Sequence, residues 1–355
     1  MAAFPTETKF FFSLYLLIFQ NFAFGVLEVS AQNHKHGFQK LFVFGDSYAD
    51  TGNGEKDSVP SWKEPYGVTF PGKPAGRWSD GRVMTDLFAS FLGLQSPVPY
   101  DQWRDVDPEQ LAKGMNFAYG GTGVFDNSFT KSPNMTQQIR LFQDSIKLVR
   151  FSEHDLQSSV GLVSLAGNDY AFYETLNGSL QSIEPFIVSV IDQLKLNLNH
   201  LRDIGIRRMA VTNVPPLGCL PGVAVNHPSP QCNEDQYKVA KKHRDMLEKA
   251  VEHINEQDSQ SNDFSVVIID IYDAFTSVIR SRQDKEGRVA FEKLLQPCCV
   301  GVGRGFGCGS TDASGAKKYA VCDDPQSSLF WDSIHPSDGG WAAISSYIRA
   351  TTEQL

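Results

Sequence analysis

Apolar residues in this chain follow two alternating rhythms. Short continuous runs at Leu41-Phe42-Val43-Phe44, Gly161-Leu162-Val163-Ser164-Leu165-Ala166, Arg208-Met209-Ala210-Val211-Thr212 and Phe264-Ser265-Val266-Val267-Ile268-Ile269 have the length of strands buried on both faces. Met115-Asn116-Phe117-Ala118 is a weaker run of the same kind. Between them, apolar positions recur at helical spacing over 83–92, 137–149, 185–201 and 234–254, with a last helix expected over 339–351. Strands that alternate with helices predict a mainly parallel sheet covered by helices on both faces, an α/β layered fold whose sites gather beyond the carboxyl ends of the strands. The Gly- and Pro-rich segment 50–81 reads as a long surface loop rather than a linker, and no internal repeat or low-complexity stretch interrupts the order.

The amino-terminal pattern differs. Lys9 precedes the apolar run Phe10 to Phe19, and Val29-Ser30-Ala31 has the small-residue spacing of a signal-peptidase site, so residues 1–31 are expected to be a signal peptide and 32–355 a single domain. Gln20 and Asn21 break the apolar stretch short of the roughly 20 residues that a membrane span needs, and no stable membrane anchor is expected.

Composition narrows the class. With 41% hydrophobic and 21% charged residues in 355, the chain has enough apolar material for a sizeable core. Removing the signal segment takes away Lys9, Glu7 and Glu28 and moves the formal charge from −9 to −8. An acidic balance without basic stripes speaks against nucleic acid as a partner. The densest basic run, Lys241-Lys242-His243-Arg244, is read as the solvated face of a helix. Six cysteines and the sequons at Asn134 and Asn177 suit an oxidising, extracellular destination. Cys219 and Cys232 would close a short loop, worth about 3 kcal/mol on the chain-entropy account. Adjacent Cys298 and Cys299 are each expected to pair with Cys308 or Cys322, in an order the sequence leaves open. Zinc is the competing use of these residues, but no Cys-x-x-Cys pair is present.

Four polar segments sit where the strands end. Ser47 follows the first run at Gly45-Asp46-Ser47; a serine there can project its hydroxyl from the sheet top while backbone N–H groups point at a developing oxyanion, although Gly-Asp-Ser is also ordinary turn chemistry. The Gly-x-Ser-x-Gly elbow is missing, because Ala49 stands at its last position. Asp332-Ser333-Ile334-His335 supplies a carboxylate and an imidazole three residues apart, the parts that a serine base needs, or alternatively a local cap beside a surface histidine. Asn168, in Leu165-Ala166-Gly167-Asn168-Asp169, offers an amide donor for an anionic oxygen. The glycines of Asn116-Phe117-Ala118-Tyr119-Gly120-Gly121-Thr122-Gly123 permit a close approach of backbone to substrate; the rival phosphate cradle lacks its Gly-Lys-Ser/Thr ending.

Taken in order, these four blocks resemble those of the GDSL-type esterases and lipases, also called SGNH hydrolases, in their plant form. The nucleophile block resembles Phe44 to Asn53, the family glycine falls on Gly121, the family asparagine on Asn168, and Asp332 and His335 match the Asp-x-x-His block. Gly76-Arg77-Trp78-Ser79-Asp80-Gly81-Arg82, Val214-Pro215-Pro216-Leu217-Gly218-Cys219, Cys298-Cys299 and Phe330-Trp331-Asp332 extend the likeness over most of the chain. Tyr48 departs from it, standing where the family name has leucine. The resemblance implies a three-layer, flavodoxin-like α/β/α fold. It also implies a serine ester hydrolase that works through an acyl-enzyme, with Ser47 as nucleophile, His335 as base and Asp332 as its orienter. The N–H groups of Ser47 and Gly121 and the Asn168 amide would form the oxyanion site. No metal or organic cofactor is implied, and the partner is a small-molecule or lipid ester. An acyltransferase using the same serine, or a non-catalytic glycan- or lipid-binding protein, are the alternatives. Phe125, Phe129, Tyr170, Phe172 and Tyr173 could line an acyl groove or be ordinary loop aromatics.

Overall fold

Every residue of the run 41–44 is buried, as a strand covered on both faces requires. A computed structural model describes residues 37–165, 167–224, 231–257, 263–281 and 291–355, and the expected signal segment lies outside them. Among the described residues, β1 (Lys40–Gly45), β2 (Val98–Pro99), β3 (Gly114–Asn116), β4 (Ser159–Ser164), β5 (Arg208–Thr212) and β6 (Ser265–Ile269) form one sheet in the order β2-β3-β1-β4-β5-β6, with every pair parallel. The longer helices are α1 (Met84–Phe91), α2 (Met135–Val149), α3 (Gly167–Thr175), α4 (Glu184–Ile204), α5 (Glu234–Gln257), α6 (Ile271–Ser281), α7 (Asp338–Ala343) and α8 (Ser345–Thr352). They flank the sheet to give three layers; α1 packs on α8, while α2, α4 and α5 pack in succession. Phe38–Leu355 cluster as one unit.

Strand order decides where a site can form. The chain leaves β1 for β3 on one side and returns to β4 on the other, so the connections diverge at β1 and open a crevice above its carboxyl end. The register sets Gly45 opposite Ser164, and the Asp46 N–H donates to the Ser164 carbonyl at 2.9 Å. Ser47 and Asn168 therefore emerge at the same level. Gly45 is needed for that closeness, because a Cβ there would run into the Ser164 carbonyl. Phe42 and Phe44 pack on Phe142 of α2 at centroid distances of 4.7 and 5.5 Å, which anchors β1 beneath the site.

Several expectations change in the folded chain. Segment 50–81 is no simple surface loop: Thr51, Asn53, Ser61, Tyr66, Ser79 and Asp80 are buried, and Thr51 bridges Arg77. The expected last helix is two, α7 and α8, broken at Ile344. Gly339 and Gly340 follow Asp338 in the first turn of α7 under a Ser337 cap, and Gly340 lies flat against the Leu329 carbonyl, where only a glycine fits. His243 does not belong to a solvated face. It is fully buried with Nδ1 2.6 Å from the Tyr170 hydroxyl, and burial pushes its imidazole down to about 3. Its neighbours Lys241 and Lys242 are exposed and Arg244 half-buried, paired with Asp245, Glu184 and Asp270 at 2.8, 2.9 and 2.8 Å. Helices α3 and α6 were not apparent in the apolar pattern.

The cysteines pair as Cys219–Cys232, Cys298–Cys322 and Cys299–Cys308, as the adjacent-pair argument requires. Two of these bonds staple a lobe with little regular structure: β8 (Cys299–Gly301) lies antiparallel to β9 (Tyr319–Val321), and β10 (Ser328–Phe330) lies parallel to β7 (Lys293–Pro297). Among the described residues no helix is long and apolar enough to cross a membrane.

Candidate active site

Ser47 leaves β1 in a turn in which Asp46 accepts the Tyr48 N–H at 3.0 Å. The tail of the same block reaches back under the sheet top. Asp50 accepts N–H groups of Gly52, Asn53 and Gly120 at 2.8, 2.8 and 3.0 Å, and the Asn53 amide donates to the carbonyls of Asn116 and Ala118 at 2.9 and 2.8 Å. Asn116 donates in return to the Ala49 carbonyl at 2.8 Å. This lattice fixes the loop that carries Gly121 relative to Ser47. Gly121 has a left-handed φ of 81°, which favours glycine and turns its peptide out of the strand direction. Gln138, fully buried, ties the arrangement from below, accepting from the Gly45 N–H at 2.8 Å and donating to the Gly45 carbonyl at 2.9 Å.

Asn168 lies in the first turn of α3, where unpaired N–H groups make the environment favourable to an anion. One amide hydrogen goes to the Thr122 carbonyl at 2.9 Å, and Nδ2 stands 3.5 Å from Asp46. That longer contact is weak, so the second hydrogen is free to serve another acceptor. Burial pushes the Asp46 carboxyl up to about 7 and that of Asp169, which accepts from Val124 and Phe125 N–H groups, up to about 6.

The imidazole arrives from the far end of the chain. His335 Nε2 is 2.8 Å from Ser47 Oγ, across a separation of 288 residues. Its Nδ1 lies 2.8 and 2.9 Å from the two oxygens of Asp332. Because a carboxylate only accepts, Nδ1 carries the hydrogen, which leaves Nε2 to accept from the serine hydroxyl. Burial pushes the Asp332 carboxyl up, but the attraction of His335 and hydrogen bonds from His335 and Ile334 outweigh it and hold the group below the usual carboxylate range.

Two side chains that the linear pattern did not single out complete this geometry. Tyr66 donates its hydroxyl to Asp332 Oδ2 at 2.7 Å, and burial beside that carboxylate keeps the phenol protonated. The Trp78 ring lies against His335 with centroids 5.0 Å apart and 32° between planes. Trp78 is pinned on both sides: Arg77 grips Asp86 through two bonds at 2.9 and 2.8 Å, and Arg82 grips Asp338 at 2.8 and 2.7 Å. Gly120 allows the indole to lie over the loop, since a Cβ there would strike the ring. The block around Trp78 was visible as a motif but its task was not, and Tyr66 carried no signal beyond being an aromatic in a long loop. Tyr48, the departure next to the serine, packs edge-on against Trp341 at 5.3 Å and donates to the Ile334 carbonyl at 2.9 Å.

A cavity of about 280 Å³ adjoins Ser47, with Asn168, Tyr170, Val214, Leu217 and Ile334 among its walls. Of the five aromatics considered as groove residues, only Tyr170 lines it. Phe172, with Phe129 at 5.7 Å, and Tyr173, stacked on Phe186 at 4.7 Å, belong to α3 rather than to a loop and turn elsewhere.

The four blocks thus converge on one serine, and comparison with known proteins agrees on the kind of protein in which they do so. A sequence model described as GDSL-like Lipase/Acylhydrolase matches residues 41–348. The chain belongs to this family. A GDSL esterase/lipase of Arabidopsis thaliana is 46% identical over 349 residues, covering 96% of this chain and 96% of the relative. A second from the same plant is 41% identical over 347 residues, covering 96% and 97%. A third is 38% identical over 326 residues, covering 90% of each. Among solved structures, an α/β hydrolase enzyme from the metagenome of Lake Arreo, Spain, aligns with 90% of this chain and 97% of its own at a TM-score of 0.39 and 13% identity. The protein is accordingly a GDSL-family ester hydrolase with a three-layer α/β architecture.

Both sequons fall among the described residues and differ. Asn134 is half-buried as the cap of α2, accepting from Gln137 N–H at 3.0 Å and donating to Asp126 at 2.8 Å, whereas Asn177 is exposed in a left-handed turn with a φ of 59°.

Proposed function

We propose that this GDSL hydrolase is secreted and cleaves carboxylic esters through an acyl-enzyme on Ser47. The reading is carried by one observation, the unbroken chain from Ser47 Oγ to His335 Nε2 at 2.8 Å and from His335 Nδ1 to Asp332 at 2.8 Å. Ser47 Oγ attacks the ester carbonyl as its proton passes to Nε2. The anionic oxygen of the tetrahedral species is received by the N–H groups of Ser47 and Gly121 and by the second hydrogen of the Asn168 amide. One such donor is worth about 3 kcal/mol where its removal has been measured. The carbon–oxygen bond to the alcohol breaks, the alcohol leaves with the proton from His335, and water repeats the sequence to release the acid. Asp332 holds the imidazole tautomer and balances the charge that the imidazolium gains.

Secretion is supported by the segment at 1–31, the three disulfides and the exposed sequon, of which Asn177 is the accessible glycan acceptor. The test is hydrolysis of a short p-nitrophenyl ester by wild type and Ser47→Ala, together with titration by a serine-reactive organophosphate. Stoichiometric labelling of Ser47 and loss of turnover in the variant are expected. Undiminished turnover in a folded Ser47→Ala protein would refute the assignment.

A further inference from the structure

The cavity beside Ser47 has a built end. It runs along one face of α3, where Gly167, Tyr170, Ala171 and Glu174 recur at helical spacing, and a rise of about 1.5 Å per residue sets Glu174 about 9 Å beyond Asn168. The facing wall comes from α5, whose Gln236 and Val239 are one turn apart, and from Leu217 and Leu220. Apart from its reacting end the cavity is mainly apolar, which suits a hydrocarbon arm. Glu174 breaks the pattern: it is half-buried, and among the described residues no cation acts on it. Instead the Gln236 amide nitrogen donates to both of its oxygens, at 2.7 and 2.9 Å. A carboxylate has about four acceptor positions, so this contact orients the group and leaves positions open. A half-buried charge without a counter-ion is a cost to the fold, and a donor entering along the cavity would relieve it.

We propose that this cavity takes one arm of the ester and that Glu174, steered by Gln236, selects arms that end in a hydrogen-bond donor. The proposal rests on the Ser47 reading for where the carbonyl sits. Glu174 and Gln236 are specificity residues here, remote from the reacting atoms. A terminal hydroxyl and a terminal ammonium share the required chemistry and are separate arms of the test.

Binding can be measured apart from turnover, in the Ser47→Ala background, by titration calorimetry. The probes are methyl octanoate with its terminally hydroxylated and aminated counterparts, and octyl acetate with its terminally hydroxylated counterpart. In at least one series the donor-bearing ester is expected to bind about ten-fold tighter than the plain one, the effect of one hydrogen bond to a charged acceptor. The series that responds identifies whether the acyl or the alcohol arm enters. Adding Glu174→Leu should reverse the preference. Glu174→Gln, which keeps an acceptor but no charge, should retain preference for the hydroxyl and lose it for the ammonium. Each readout is a ratio within one protein, so a general loss from imperfect folding cancels. Equal affinities within two-fold in both series, or a preference that survives Glu174→Leu, would overturn the proposal. Failure of the Ser47 reading would show instead as turnover in Ser47→Ala, whatever the binding ratios.

Discussion

Ser47 and His335 share one contact of 2.8 Å but are held by opposite kinds of structure. Ser47 stands in the turn two residues beyond a strand whose hydrogen bonds run to both neighbours, above a layer of buried phenylalanines. His335 stands on a loop between β10 and α7 with almost no regular structure of its own. That loop is fixed by long-range ties: Cys298 and Cys299 N–H groups donate to the Phe330 and Trp331 carbonyls at 3.0 and 2.7 Å, and Trp331 N–H donates to the His335 carbonyl at 2.7 Å. Disulfides hold the donors of two of those bonds, and the partly buried segment 50–81 sets Tyr66 and Trp78 against the acid and the imidazole. A sheet positions a residue by many local bonds, whereas a loop does so only if covalent and tertiary contacts replace them. The serine side is therefore expected to be robust and the histidine side conditional.

The comparison can be broken most severely at its centre. Ser47→Ala and His335→Ala should each lower kcat/KM for a p-nitrophenyl ester by at least about a thousand-fold without changing far-UV circular dichroism, because the two act as a unit. A double variant Cys298→Ala/Cys322→Ala probes the conditional side. Opening that 24-residue closure should cost about 3 kcal/mol, with activity lost at lower urea than sheet and helix content. Coincident loss of both signals would mean that the lobe and the sheet unfold as one.

A smaller effect is expected from Tyr66→Phe, about ten-fold in kcat/KM. Without the phenol the Asp332 carboxylate loses a fixed donor and holds the imidazole less firmly, so the loss should fall on kcat with KM little changed. A loss carried by KM with kcat unchanged would make Tyr66 a packing residue only.

A last effect concerns how stability on the serine side depends on pH rather than its size at one pH. Burial raises Asp46 to about 7 in the folded protein from an ordinary value of 3.8, so the native state binds the extra proton. Its contribution is then full below about pH 4 and is lost as pH rises through about 7, a slope of about −1.4 kcal/mol per unit within that window. Asp46→Asn should flatten the stability curve there, as read by urea midpoints at several pH values, and an unchanged slope would exclude Asp46 as its source.

Legibility along the chain followed the same division. Helices over 83–92, 137–149, 185–201 and 234–254 and three of the clear strands stand where their patterns put them, while β4 begins two residues early, at Ser159; the helices bury one face and the strands both against regular neighbours. The loop-borne elements did not show. Helix α3 mixes Tyr170 and Phe172 with Glu174 in no clean stripe, since one of its faces lines a cavity and so need not be uniformly apolar. Segment 50–81 reads as a Gly- and Pro-rich surface loop, yet Asp50, Asn53 and Asp80 are buried as acceptors and donors for backbone groups, a use that composition does not reveal.

Ser47, Asn168, Asp332 and His335 could be named as candidates from their motifs, and Gly121 from the family resemblance. Each is a chemically distinctive type in a short motif, and motif chemistry needs only local spacing. The partners that orient them could not. Tyr66 on Asp332, Trp78 on His335 and Gln138 under Gly45 are separated from those residues by 266, 257 and 93 positions. Their proximity depends on strand order and loop closure, which no local pattern encodes, and only the folded chain could decide it.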